Sequence, residues 1–118
     1  MNSNRVAYVL VLLVFGFVLS GCKQTKISEI VADPGSFSNK EVAVAGEVKT
    51  SIGALGKGIY EITDGTGSLW VLSETRGVPS KGAHVGVKGR VLPTVTFLGR
   101  NYATVLRESD RRAEKATQ

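Results

Sequence analysis

From Glu41 onward the chain alternates apolar and polar residues with the period of a β-strand. Val42, Val44 and Val48 fall on one side of a strand over Glu41–Thr50, with Glu47 and Lys49 on the other. Gly46 interrupts the apolar row, which marks a bulge or a sharp bend. Ser51–Gly58, with three glycines and one lysine, reads as a flexible loop. Gly58–Leu72 reads as two short strands around a glycine-rich turn. Ile59, Tyr60 and Ile62 supply the first strand, and Leu69, Trp70, Val71 and Leu72 the second. Asp64-Gly65 offers the positive φ angles of a tight turn, and Gly67 a bulge or a wider loop. Ser73–Ala83 carries Gly77, Pro79 and Gly82 and is too short and broken for a helix. Val85, Val87 and Val91 alternate with Gly86, Lys88 and Arg90 in a fourth strand, where Gly89 sits as Gly46 does in the first. Pro93–Asn101 is a loop or hairpin arm containing Phe97 and Arg100, and Tyr102–Arg107 a fifth strand. Upstream, Ile27–Ala32 forms a short helical turn with Ile27, Ile30 and Val31 on one side. Asp33 caps, and Pro34 starts, another turn that runs to Phe37.

Three segments repeat a spacing in a fixed order. Val42-x-Val-x-Gly-x-Val48 is followed by Tyr60-x-Ile-x-Asp-Gly-x-Gly-x-Leu-x-Val71 and then by Val85-x-Val-x-Gly-x-Val91. Over about residues 41–92 this order resembles the OB-fold. It is similar to the anticodon-binding type of OB domain and to exported bacterial OB-fold proteins. The fold expected is therefore all-β, a small five-stranded OB-like barrel with a short N-terminal helical turn. It would occupy residues 27–108, with Ile30, Val31 and Phe37 plugging one end. The resemblance implies a ligand on the outer face of strands two and three, flanked by the loops after strands one and four. On that basis Lys49, Lys57, Tyr60, Trp70, Lys88, Arg90, Phe97 and Arg100 are the candidate ligand-binding residues. Tyr60 and Trp70 fall on opposite faces, so one of them is core, and burial statistics favour Trp70.

The amino terminus carries a different pattern. After Arg5, Val6–Leu19 is free of charge and rich in Val, Leu and Phe. As a helix it would span about 21 Å, short of the ~30 Å hydrocarbon core, which suits a signal peptide better than a permanent span. Leu19-Ser20-Gly21-Cys22 then resembles the lipobox of bacterial lipoproteins. That resemblance implies a signal peptide over residues 1–21, diacylglycerol and palmitate-type acylation on Cys22, and a lipidated tether over residues 22–26. Lys23, rather than Asp, after the cysteine implies the inner leaflet of the outer membrane, facing the periplasm, if the source is diderm. Residues 109–118, charged and without an apolar stripe, read as a flexible tail.

Composition narrows the chemistry. There are 118 residues, room for one domain. Against 15 Lys+Arg stand 10 Asp+Glu, and only Arg5 lies in the first 21 residues, so the mature chain stays mildly basic. That is far from the basic stripe of a dedicated nucleic-acid binder. One cysteine and one histidine argue against a disulfide, a metal site or another cofactor site. A hydrolase would need a pocket joining His84 to a carboxylate and a hydroxyl. Asp64 is accounted for by turn chemistry, so no catalytic residue is expected. The function expected is a non-catalytic binding or adaptor module of the cell envelope. Its partners would be membrane lipid through Cys22 and an envelope protein or acidic ligand. Binding of single-stranded nucleic acid or another polyanion is the alternative.

Overall fold

Residues that alternate in the sequence pair around a closed ring. The computed structural model describes residues 24–114. Two short helices, α1 (Ile27–Ala32) and α2 (Pro34–Phe37), precede β1 (Glu41–Ala54), β2 (Lys57–Thr63), β3 (Ser68–Ser73), β4 (His84–Phe97) and β5 (Arg100–Ala113). The strands close in the order β1-β2-β3-β5-β4. Every neighbouring pair is antiparallel except β3 and β5, which run parallel where Trp70–Leu72 meets Val105–Arg107. This is a small five-stranded OB-like barrel. Residues 1–23, on which the expected signal peptide and the expected lipidation of Cys22 fall, and residues 115–118 lie outside the described residues.

The first strand serves two partners. β1 pairs with β4 as far as Glu47 and with β2 from Glu47 onward. Gly46 sits at this handover, where a Cβ would lie 2.4 Å from the carbonyl oxygen of Thr63. The extra residue of the bulge is Lys49, three positions later. Inside the ring, Val42, Val44, Val48, Ile62, Leu69, Val71, Val85, Val87, Val91 and Leu106 pack around Tyr60. Ile27 and Ile30 close one end, both fully buried, with Phe37 half-buried beside them. Val31 is 41% exposed and is not part of the plug, because a six-residue helix turns only one edge inward.

Four expectations on local structure are corrected. Ser51–Gly58 is not a loop: β1 continues to Ala54, turns over Leu55 and Gly56, and returns as β2 from Lys57. Gly53 and Gly58 face each other across the ladder, and the Val78 methyls fill the space that side chains there would take. The glycines make room rather than flexibility. In the β2–β3 turn only Gly65 takes a positive φ (88°), since Asp64 holds the turn by its side chain instead. The fifth strand does not stop at Arg107: β5 runs to Ala113, with Val85 opposite Ala113, so residues 109–113 are strand and not tail. Asp33 stands at the N-cap of α2, but its carboxylate takes no backbone amide there; it accepts the Ser36 hydroxyl, and the Asp33 carbonyl accepts the Ser36 amide at 3.1 Å. Just before α1, the Thr25 amide donates to the Ala43 carbonyl at 2.8 Å.

Candidate functional site

Outside the barrel a second apolar cluster lies on the face of β2 and β3. Alternation sends Tyr60, Ile62, Leu69 and Val71 inward and leaves Ile59, Trp70 and Leu72 outward. Two hairpin arms extend the face. The β1–β2 arm contributes Ile52, opposite Ile59, and the β4–β5 arm contributes Val95, Phe97 and Tyr102. Thr104 takes φ 54°, which breaks the alternation of β5, so Tyr102 and Val105, three residues apart, face the same cluster. Ile59, Val105 and Tyr102 are buried there, while Trp70, Leu72, Phe97, Val95 and Ile52 stay half-buried. The Trp70 and Tyr102 rings sit 4.9 Å apart at 59°, a tilted aromatic pair. The Arg100 guanidinium lies 5.9 Å from the Tyr102 ring centre, within cation–π range.

The structure separates the candidate residues into three groups. Trp70 and Phe97 belong to the outer cluster, Arg100 lies beside its Tyr102, Lys57 stands on the β1–β2 arm and Lys49 is the bulge residue of β1, the three cations being exposed. Lys88 and Arg90 do not join them. They pair with Ala43 and Glu41 of β1, and β4 forms no ladder with β2 or β3. The Arg90 guanidinium donates to the Asn39 carbonyl at 2.8 Å. Tyr60 is inside the barrel with no exposed surface, so Tyr60 is the core aromatic and Trp70 the outer one, reversing the expectation from burial statistics. A Tyr fits the interior because its hydroxyl finds a partner there.

That partner, Glu108, forms a buried network with Arg111, which lies in the stretch expected to be tail. The Tyr60 hydroxyl donates to the Glu108 carboxylate, and Arg111 Nη1 donates to the same oxygen at 3.1 Å. The Glu108 side chain is 2% exposed and that of Arg111 16%. Arg111 also donates to the carbonyls of Gly77 and Arg76, both at 3.2 Å, and stacks over the Tyr60 ring at 5.5 Å. Burial, and then the Glu108 carboxylate, push the Tyr60 phenol far above its ordinary pKa of 10.0. Charge run 107–112 carried no local signal of this, because the residues that bury it come from β2 and the 76–79 loop.

At the opposite end of β2, His84 lines an open cleft of about 660 Å³ together with Glu47, Thr63, Asp64, Thr66 and Glu114. The hydroxyls there are committed to the turn. Thr63 donates to the Gly67 carbonyl at 2.9 Å, and Thr66 to the Asp64 carboxylate at 2.6 Å. The Asp64 carboxylate also accepts the amides of Thr66, Gly67 and Ile27, the last capping α1 from a distance. Among the described residues no cluster of His, Cys, Asp and Glu is placed to hold a metal ion.

Burial alone would raise the Asp64 pKa, but the hydrogen bonds from Ile27, Thr66 and Gly67 outweigh it and hold the carboxyl below its ordinary 3.8. Its contribution to stability is complete above that value and is lost as pH falls below it. Asp64→Ala, which strands those donors and uncaps α1, should cost about 2 kcal/mol. Thermal melts taken from neutral pH down to about pH 2 should show a shallower acid loss in this variant than in the parent.

The chain matches no protein-family profile and no curated protein sequence. Solved structures do share its fold. OBody AM3L09, bound to hen egg-white lysozyme, is similar with a TM-score of 0.59 at 20% identity, over 79% of this chain and 96% of that one. Asparaginyl-tRNA synthetase from Pyrococcus horikoshii is similar with a TM-score of 0.62 at 19% identity. That match covers 82% of this chain and 24% of the synthetase. At these identities the likeness establishes the OB-fold and nothing finer.

Proposed function

We propose that the chain is a membrane-anchored bacterial lipoprotein, exported by residues 1–21 and lipidated at Cys22. Its OB-like barrel serves as a non-catalytic binding or adaptor module in the cell envelope. The observation that carries the binding role is the outer β2–β3 face. There Trp70, Leu72 and Phe97 remain partly open between two arms, although the barrel has a complete core without them. An apolar face with aromatic anchors and a polar rim has the composition of a protein-binding hot spot. OBody AM3L09, of nearly the same extent, is bound to a folded protein, and so supports this use of such a barrel. The hydroxyls at the His84 cleft hold the turn, which supports a module without hydrolytic chemistry.

A second reading has its own support. The tilted Trp70–Tyr102 pair beside Arg100 is the kind of surface on which bases of a single strand stack.

Amide chemical shifts of the chain from Gln24 onward, titrated with a short single-stranded oligonucleotide at two salt concentrations, separate the readings. Under the adaptor reading the shifts of Trp70, Phe97 and Arg100 stay unchanged at saturating oligonucleotide. An envelope protein captured by the parent chain is then lost with Trp70→Ala. Shifts on this face that weaken steeply with salt would replace the adaptor by a polyanion-binding module. Anchoring is tested separately: Cys22→Ala should accumulate as an unlipidated, unprocessed precursor on gels after labelled-palmitate feeding, and normal maturation of that variant would overturn the lipoprotein reading.

A further inference from the structure

The two arms end alike. The β1–β2 hairpin turns over Leu55-Gly56 and continues with Lys57; the β4–β5 hairpin turns over Leu98-Gly99 and continues with Arg100. Both leucines adopt the left-handed region, at φ 55° and 51°, followed by glycines at 78° and 79°. Such two-residue turns favour Asn or Asp at the first position, where leucine is strained. Neither leucine is repaid by packing, since Leu55 is 102% and Leu98 66% exposed. Thr104, at φ 54°, serves the fold by bringing Tyr102 and Val105 to one face, whereas the two leucines do nothing comparable.

Charge is segregated in the same sense. Residues 49–58 contain Lys49 and Lys57, residues 91–106 contain Arg100, and neither stretch contains Asp or Glu. Glu47, Asp64 and Glu114 line the His84 cleft at the far end of β2, and Glu74, which follows the Ser73 partner of Gly58, faces Arg107 at 3.7 Å. A protruding leucine beside a cation matches the interface of an anionic bilayer: the apolar tip enters the acyl boundary and the cation stays with the headgroups.

We propose that the Leu55 and Leu98 tips are a lipid-docking device that holds the barrel on an anionic membrane surface. This contact goes beyond the lipidation proposed for Cys22. Gln24 lies at the Asp64 end of the barrel, a strand length away from the Leu55 tip. A protein partner would also use apolar residues, but it would bury them in a concave or flat patch. Two exposed leucines at separate hairpin tips suit a soft surface better.

The test is vesicle flotation with the unlipidated chain from Gln24 onward, which contains the whole barrel and both clusters. The vesicles are phosphatidylglycerol mixed with phosphatidylcholine, or phosphatidylcholine alone. The parent chain should float with the anionic vesicles and weakly or not at all with the neutral ones. Leu55→Asn with Leu98→Asn suits the turns at least as well, so its melting temperature should not fall, while its partition into anionic vesicles should drop by about tenfold or more. Lys57→Gln with Arg100→Gln should lose the preference for anionic lipid. Failure of the parent chain to float would overturn the proposal and assign the tips to a protein contact. Equal flotation of the Leu→Asn variant would overturn it as well, since binding would then come from basic surface elsewhere.

Discussion

In a thermal melt, Gly89→Ala should unfold about 12 °C or more below the parent chain, the largest single effect expected in this protein. Gly89 is buried in β4 opposite Val42 of β1, beside the bulge that lets β5 fold over it. A Cβ there would lie 2.2 Å from the carbonyl oxygen of Arg107 and 2.8 Å from its carbonyl carbon. Both are backbone atoms of a paired strand, so no rotamer change relieves the overlap. β4 and β5 would have to separate where the barrel closes. A cost of about 3 kcal/mol is expected, at the upper end of overpacking, from a total of roughly 5–15 kcal/mol for a domain. Gly46→Ala should behave similarly, because its Cβ would meet the Thr63 carbonyl. Gly65 supplies the contrast. Its φ is 88° and nothing lies within 4 Å of an added Cβ, so Gly65→Ala should cost only the backbone strain, about 1 kcal/mol. Equal melting temperatures for Gly89→Ala and Gly65→Ala would mean that the close strand approach does not limit stability.

Arg111→Ala should be nearly as damaging. It removes the cation facing a carboxylate that is 2% exposed and the two bonds that tie the 76–77 carbonyls to the barrel. Breaking a buried pair from one side typically costs about 3–5 kcal/mol, because the remaining charge stays desolvated. With part of Arg111 exposed, about 3 kcal/mol is expected in urea unfolding. Tyr60→Phe should cost less, since Arg111 still serves Glu108 and the ring still fills the core. Its signature is in the pH dependence. The folded Tyr60 pKa lies above the unfolded value, so its contribution is fully present below the ordinary 10.0 and is lost as pH rises beyond it. The unfolded chain ionises there while the buried phenol does not. Stability measured through the alkaline range should therefore fall more steeply for the parent chain than for Tyr60→Phe. Parallel curves would show that the phenol is not held neutral by the fold.

Much of the barrel was legible because a strand that buries one face must alternate. Val42, Val44 and Val48, and Val85, Val87 and Val91, carry that alternation with a glycine at the point of closest strand approach, and the structure places them as the pattern required. The face of β2–β3 was legible for the same reason. Period two separates Tyr60 from Trp70 whatever their burial proves to be. Which of the two is core was not legible, since it depends on Glu108 and Arg111, 48 and 51 residues away from Tyr60 in sequence. Lys88 and Arg90 were grouped with the ligand face by residue type, yet β4 is two strands removed from β2 around the ring.

Sequence alone thus determined the all-β class, the succession of strand-forming segments along the chain, and the two glycines on which barrel closure turns. These follow from local alternation and from the steric uniqueness of glycine. Tertiary structure alone decided that Gly53 and Gly58 make room for Val78, that Glu108 and Arg111 are interior, and that Leu55 and Leu98 stand at two matching tips. Each of these depends on which strand lies opposite, and pairing partners distant in the chain leave no mark on the pattern of a single segment.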